Sequence, residues 1–148
     1  MRRKFFILII ALPFLMGTTM FANDYKDAIP VINMMQTSIE KFIGGLEKAD
    51  SAQTIAAAVN EYTKDVKAFA PLFRVILKKY PELEDEKNHP EALKPQLMKV
   101  VETTKKLMVL YGKIGKHMSD PEVKKALDEL TKASAALDPV EEKEGEEK

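Results

Sequence analysis

Apolar residues recur every three or four positions along four separate segments, and this spacing constrains the fold more than any other feature of the chain. Residues with this spacing lie on one face of an α-helix. The residues between them are mostly Lys, Glu, Asp, Thr and Ala. In chain order the four sets are Ile32, Met35, Ile39, Phe42 and Leu46; Ile55, Val59, Tyr62, Val66, Phe69, Phe73, Ile76 and Tyr80; Leu93, Leu97, Val100, Thr104, Leu107, Tyr111, Ile114 and Met118; and Val123, Leu127, Leu130, Ser134 and Leu137. None of these helices can bury its apolar face alone, so the pattern predicts that the four pack together.

Polar segments separate the four helices at positions where helices commonly end. Asp50 or Ser51 can cap the second helix, and Ser119-Asp120-Pro121-Glu122 combines a cap, a proline and a glutamate at the start of the fourth. A longer polar loop runs from residue 81 to 89. Short connections favour antiparallel neighbours, so we predict an all-α, up-down-up-down four-helix bundle. Pro71, inside the second helix, predicts a bend near Lys67 to Ala70.

The first residues of the chain have the layout of a secretory signal. Arg2, Arg3 and Lys4 precede an uncharged stretch from Phe5 to Ala22. Cleavage is expected after Ala22, although the stretch is also long enough to be retained as a membrane anchor. The sequence therefore predicts a periplasmic or secreted protein with a signal peptide at 1–22, the bundle at 23–137 and a disordered acidic tail at 138–148.

Composition excludes several classes of function. The chain has no cysteine, which excludes disulfides, thiol chemistry and covalent haem attachment. It has 23 basic and 23 acidic residues. Removal of the three basic residues of the signal leaves a net charge of −3, which the tail from Glu141 to Lys148 carries with five acids and two lysines. The body therefore balances to zero, and we expect neither nucleic acid nor, after signal cleavage, a membrane as partner.

Two short motifs resemble the soluble periplasmic b-type cytochromes, the cytochrome b five-six-two family. Glu47-Lys48-Ala49-Asp50-Ser51-Ala52-Gln53 is similar to the turn between that family's first two helices. The stretch Leu83-Glu84-Asp85-Glu86-Lys87, followed by Pro90-Glu91, is similar to its middle loop. The resemblance covers roughly residues 29 to 137. It implies a four-helix bundle that holds non-covalent haem between a methionine early in the first helix and a histidine late in the fourth.

The ligand positions implied by this resemblance carry other residues. The methionine position falls on Gln36, one residue beyond Met35, and the histidine position falls close to Asp138. His117 is expected at the opposite end of the bundle from Met35. His89 is at the correct end but in a polar loop. We therefore expect no bound cofactor and interpret Met35 as a core residue; if haem b does bind, Met35 and His89 are the weak candidates for its ligands.

Other chemistry has weaker support. Tyr62, Tyr80 and Tyr111 are the ionisable exceptions in the stripes, and we interpret them as packing residues with a hydroxyl at the rim. The stripes contain no Glu-x-x-His pair of the kind that builds a di-iron site, and the methionines are too scattered for a copper site. The predicted catalytic set and the predicted metal set are both empty.

These observations favour a non-enzymatic binding or interaction protein of the bacterial envelope, monomeric or weakly dimeric. Its partner is expected to be an envelope protein or a small apolar ligand. The alternatives are a haem-binding electron-transfer protein with substitute ligands and a periplasmic stress chaperone, although the repeated Leu-Thr-x-x-Gln motif of such chaperones is missing. Small residues in the fourth helix, including Ala126 and Ala133, predict a loosely packed helix that leaves a groove.

Overall fold

The chain folds into four α-helices, as the periodicity predicts. The structure is a computed structural model, and it describes residues 25–84 and 90–137. The helices are α1 (Ala28–Lys48), α2 (Ala52–Lys79), α3 (Lys94–Lys116) and α4 (Pro121–Ser134). Short 3₁₀ turns precede α1, follow α2 and precede α3, at Tyr25–Asp27, Pro81–Glu84 and Glu91–Leu93. Within the described ranges there is no β-strand. The predicted signal peptide, the middle of the long loop and the tail lie outside the described residues.

The helices do not pack in the order in which they follow one another. The extensive contacts join α1 to α2, α1 to α3 and α2 to α4, so α1 and α2 form the central pair. Two side chains show the direction of the outer helices. Lys113, late in α3, donates to carbonyls at the end of α1, and Arg74, late in α2, donates to Ala136 beyond the end of α4. These contacts are compatible with an up-down-up-down course, but α3 and α4 pack mainly on α1 and α2 and little on each other.

One hydrophobic core joins all four helices. Every apolar position predicted for the first helix is buried. In the second and third helices most are buried, while Tyr62, Phe73, Leu97 and Tyr111 are partly buried and pack against the core. Met118 was expected in the third stripe but is 42% exposed, because α3 ends at Lys116 and Met118 lies in the following turn.

The fourth helix differs most from its predicted stripe. Leu127, Leu130 and Leu137 are only partly buried, whereas Ala126 is 2% exposed and Ala133 is 6% exposed. Small side chains on the facing side let α4 lie close to α2, and a close approach favours the alanine face over the leucine face. Ala126 and Ala133 therefore belong to the buried side of α4, which packs extensively on α2. The groove expected beside this helix stays a prediction.

Local capping explains where the helices begin. The Ser51 side chain accepts from the backbone of Thr54 and the Thr54 hydroxyl accepts from the backbone of Ser51, which makes a capping box at the start of α2. At α4 the cap is Asp120, because the Asp120 carboxylate accepts from the backbone N–H groups of Glu122 and Val123 at 2.9 and 3.3 Å.

The two prolines that interrupt the pattern are accommodated differently. Pro71 lies inside α2, which continues through it as one helix. Pro95 occupies the first turn of α3, where the missing N–H group has no helical partner to lose. The third helix therefore begins at Lys94, after the 3₁₀ turn Glu91–Leu93.

α1 and α2 approach each other closely at Gly45. A Cβ atom added to Gly45 would lie 3.1 Å from the Cβ of Ala58, whereas one added to Gly112 on α3 would meet no atom within 4 Å. We expect Gly45→Leu to lower the free energy of unfolding by about 1–3 kcal/mol, because the side chain separates α1 from α2. Gly112→Leu is the matched control and should raise it by up to about 1 kcal/mol through helix propensity. Urea titration measures both, and equal effects would contradict the close contact.

Candidate functional site

A solvent-open groove of about 460 Å³ lies on the outer side of the α1–α2 pair. Its volume is within the range of small-molecule sites. Four residues of α1 and six of α2 line it: Ser38, Lys41, Phe42, Gly45, Thr54, Ala57, Ala58, Glu61, Tyr62 and Asp65. We call this surface the α1–α2 groove.

Small residues open the α1–α2 groove. Gly45, Ala57 and Ala58 have little or no side chain, so the two helices approach closely while their outer sides leave space. On each helix the lining residues recur at intervals of three or four, and they form a strip beside the buried stripe. The groove residues therefore follow the same helical period as the core residues and lie on a neighbouring side of each helix.

Two stacked aromatic rings form the apolar part of the groove. The rings of Phe42 and Tyr62 are 4.5 Å apart between centroids and nearly parallel, with an interplanar angle of 4°. Phe42 is buried and Tyr62 is partly buried. An apolar ligand placed here would contact flat carbon surfaces that water solvates poorly.

Charged side chains surround these rings. Lys41 of α1 lies 3.9 Å from the carboxylate of Asp65 on α2, and Lys64 lies 2.5 Å from Glu61. Both pairs are largely exposed and contribute little to stability. They give the groove a balanced polar rim around an aromatic floor.

The Tyr62 hydroxyl is the most perturbed titratable group of the groove. Burial, together with the nearby Tyr111 and Asp65, raises the pKa of Tyr62 to about 12. Burial also raises the pKa of Tyr111 on α3. The described residues give the Tyr62 hydroxyl no hydrogen-bond partner. A buried phenol with a raised pKa is neutral at physiological pH and can donate a hydrogen bond to a ligand.

This shift predicts a specific loss of stability at alkaline pH. The pKa of Tyr62 is higher in the folded chain than its ordinary value of 10. Its contribution to the free energy of unfolding is therefore complete below pH 10 and is lost as pH rises through about 12. Tyr62→Phe should leave stability at pH 7 nearly unchanged, since no hydrogen bond is removed, and should reduce the loss between pH 10 and 12. Alkaline unfolding followed by circular dichroism measures this. Identical alkaline profiles for both proteins would contradict it.

Of the residues considered as haem ligands, the structure describes Met35 and His117. Met35 is 5% exposed within the core, and its neighbour Met34 is 43% exposed. His89 lies outside the described residues. His117 caps the C-terminal end of α3, and its backbone N–H donates to the Ile114 carbonyl in the turn toward α4. The interpretation of Met35 as a core residue therefore agrees with its burial.

The end of the bundle at which α1 begins is tied by a polar cluster that the sequence did not reveal. The Tyr80 hydroxyl donates to Asp27 at 2.6 Å, and the Tyr25 hydroxyl donates to Glu82 at 2.8 Å. The rings of Tyr25 and Tyr80 are 4.8 Å apart, and Lys79 pairs with Asp27. Hydrogen bonds from Lys79 and Tyr80 lower the pKa of Asp27. This cluster holds the first 3₁₀ turn against the end of α2.

Among residues 25–84 and 90–137, no three His, Cys, Asp or Glu side chains are placed to share a metal ion. No helix in these ranges is both long enough and apolar enough to cross a bilayer.

The groove was missed by sequence reasoning, although two signals were present. Gly44-Gly45 and the run Ala56-Ala57-Ala58 place small residues on facing helices. Comparisons with protein-family models, with curated proteins and with solved structures give no match to this chain.

Proposed function

We propose that this chain is an exported, non-enzymatic binding protein of the bacterial envelope, and that its α1–α2 groove holds a small apolar ligand. The observation that supports this most is the groove itself, with the stacked rings of Phe42 and Tyr62 at its floor. Export rests on the secretory layout of residues 1–22.

The chemistry of the groove favours an apolar ligand over a charged one. The charged lining residues all have partners: Lys41 pairs with Asp65 within the groove, and Glu61 pairs with Lys64, which lies outside the lining. The Tyr62 hydroxyl supplies one neutral donor beside the rings. A ligand with a flat apolar body and a single hydrogen-bond acceptor matches these groups.

Binding of the neutral dye Nile red tests this proposal. The dye's fluorescence should rise on addition of the protein. Ala57→Trp fills the groove and should weaken binding by about tenfold or more, which corresponds to the loss of the ring contacts. Ala68→Trp is the matched control, since Ala68 is also an exposed alanine of α2 but does not line the groove. Equal dye affinity in the two variants, or no binding by the unmodified protein, would contradict the proposal.

A further inference from the structure

Helix α3 carries a second apolar face that no described helix covers. Its first face, with Val100, Leu107 and Ile114, is buried in the core. Seven large apolar side chains are exposed in the described ranges. Three of them belong to α3: Met98 at 46%, Met108 at 46% and Val109 at 82% exposure. Exposed apolar side chains are therefore concentrated on this helix.

The exposed residues form one stripe with lysines at regular intervals. Counted along α3 from Lys94, successive members of the stripe are four, three, four, three, one, three and four residues apart. This spacing keeps them on one side of the helix. The members of this outer stripe are Lys94, Met98, Val101, Lys105, Met108, Val109, Gly112 and Lys116. All are exposed except Lys94 and Val101, which are partly exposed. Lys105 and Lys116 form no ion pair with any described residue.

Positive charge is highest on the same helix. α3 has six lysines and one glutamate, a net charge of +5, compared with +3 for α2 and zero for α1 and for α4. Lys113 is engaged with the carbonyl groups of Leu46, Glu47 and Ala49, at 2.8 to 3.2 Å. Lys94, Lys105 and Lys116 belong to the outer stripe, and Lys94 also pairs with Glu91. The body of the chain has a net charge of zero, and this sum does not show that the charge is distributed unequally among the helices.

A surface of this kind matches an anionic lipid bilayer. A helix that lies in a membrane interface combines apolar side chains, which enter the acyl boundary, with lysines, which contact acidic headgroups. Nucleic acid fits less well, because the stripe has no aromatic side chain on which a base could stack. The acidic tail from Glu141 to Lys148 could neutralise lysines but has no apolar side chain to cover Met98, Met108 or Val109.

We propose that the outer stripe of α3 is a membrane-surface site that places the bundle on an anionic lipid bilayer. This interaction differs from the sequence-based expectation of no membrane partner after signal cleavage. It is also independent of the α1–α2 groove, because none of the groove's lining residues belongs to α3.

Vesicle co-sedimentation of the full chain, expressed with its own leader and purified in the form that the cell produces, tests this proposal. Vesicles of phosphatidylcholine alone are compared with vesicles that also contain phosphatidylglycerol. Binding should be about tenfold stronger or more to the anionic vesicles, and should weaken as salt screens the lysines. Because every variant carries the same N-terminus, a retained leader would contribute equally to all of them.

Two sets of substitutions separate the charged part of the site from the apolar part. Lys105→Gln with Lys116→Gln should weaken binding to the anionic vesicles about tenfold, and Met108→Ser with Val109→Ser should weaken it by a similar factor. Lys124→Gln with Lys125→Gln on α4 is the control matched in charge and should change binding less than about twofold. All six positions are exposed, and circular dichroism verifies that the helices are retained.

Four outcomes would overturn the proposal. One is equal binding to the two kinds of vesicle, and a second is an equal loss of binding for the α3 and α4 lysine variants. A third is duplex DNA binding that depends on Lys105 and Lys116 but not on Met108 and Val109, which would indicate a polyanion site. The fourth is a dimer in sedimentation velocity that Val109→Ser dissociates, which would make the stripe an interface between two copies of the chain.

Discussion

Met35→Ala is expected to lower the free energy of unfolding by about 2–5 kcal/mol and to leave the visible spectrum of haemin-treated protein unchanged. The loss of stability follows from burial, since Met35 is 5% exposed and belongs to the stripe that includes Ile32 and Ile39. Truncation removes apolar contacts and leaves a cavity in a close-packed core. The unchanged spectrum follows if the sulfur of Met35 serves packing and ligates no iron.

Two matched variants make this prediction specific. Met34→Ala removes the adjacent methionine, which is 43% exposed, and should change stability by no more than about 0.5 kcal/mol. Met35→Leu preserves side-chain volume and removes the sulfur, and it should lower the free energy of unfolding by less than about 1.5 kcal/mol. A sharp low-spin haem band that the unmodified protein shows and Met35→Leu abolishes would support the haem-binding alternative instead.

Phe69→Ala is expected to lower the free energy of unfolding by about 3–5 kcal/mol. Phe69 is 1% exposed and is among the largest fully buried side chains. It lies on α2, which packs against both α1 and α4, so a cavity there weakens the helix that joins the two halves of the core. Because domains of this size are commonly stable by about 5–15 kcal/mol, this single change should remove a large share of the total.

Urea titration of two separate variants, Phe69→Ala and Phe73→Ala, measures this effect. Phe73 is the matched control, four residues further along α2 and only partly buried. Its truncation should cost clearly less, because part of its surface already contacts water. Equal midpoint shifts for the two variants would show that Phe69 is not the centre of the core.

The helices and much of the core could be predicted from the sequence because both depend on local properties. The period of apolar residues located all four helices, and the capping chemistry of Ser51 located the start of α2. The errors occurred where tertiary contacts decide. Ala126 and Ala133 replaced the neighbouring leucines as the buried face of α4, since small side chains allow the closest approach to α2. A pattern of hydrophobicity alone ranks leucine above alanine and cannot anticipate this.

The order of packing and the α1–α2 groove could not be predicted in this way. The short connection between α3 and α4 suggested that they pack together, yet α3 lies on α1 and α4 lies on α2. The groove depends on how closely Gly45 approaches Ala58, which is a property of two helices together. The outer stripe of α3, in contrast, was present in the sequence, and counting charge for each helix separately would have revealed it.

The distance between spin labels on α1 and α3 tests most directly the central claim, that α3 lies alongside α1 in the same direction. The chain has no cysteine, so labelled cysteines can be placed at chosen positions. Lys48 and Lys116 end α1 and α3, while Lys99 lies near the start of α3. With about 1.5 Å of rise per residue, the 48–116 distance should be shorter than the 48–99 distance by roughly 10–20 Å. A 48–116 distance equal to or longer than the 48–99 distance would contradict the fold described here.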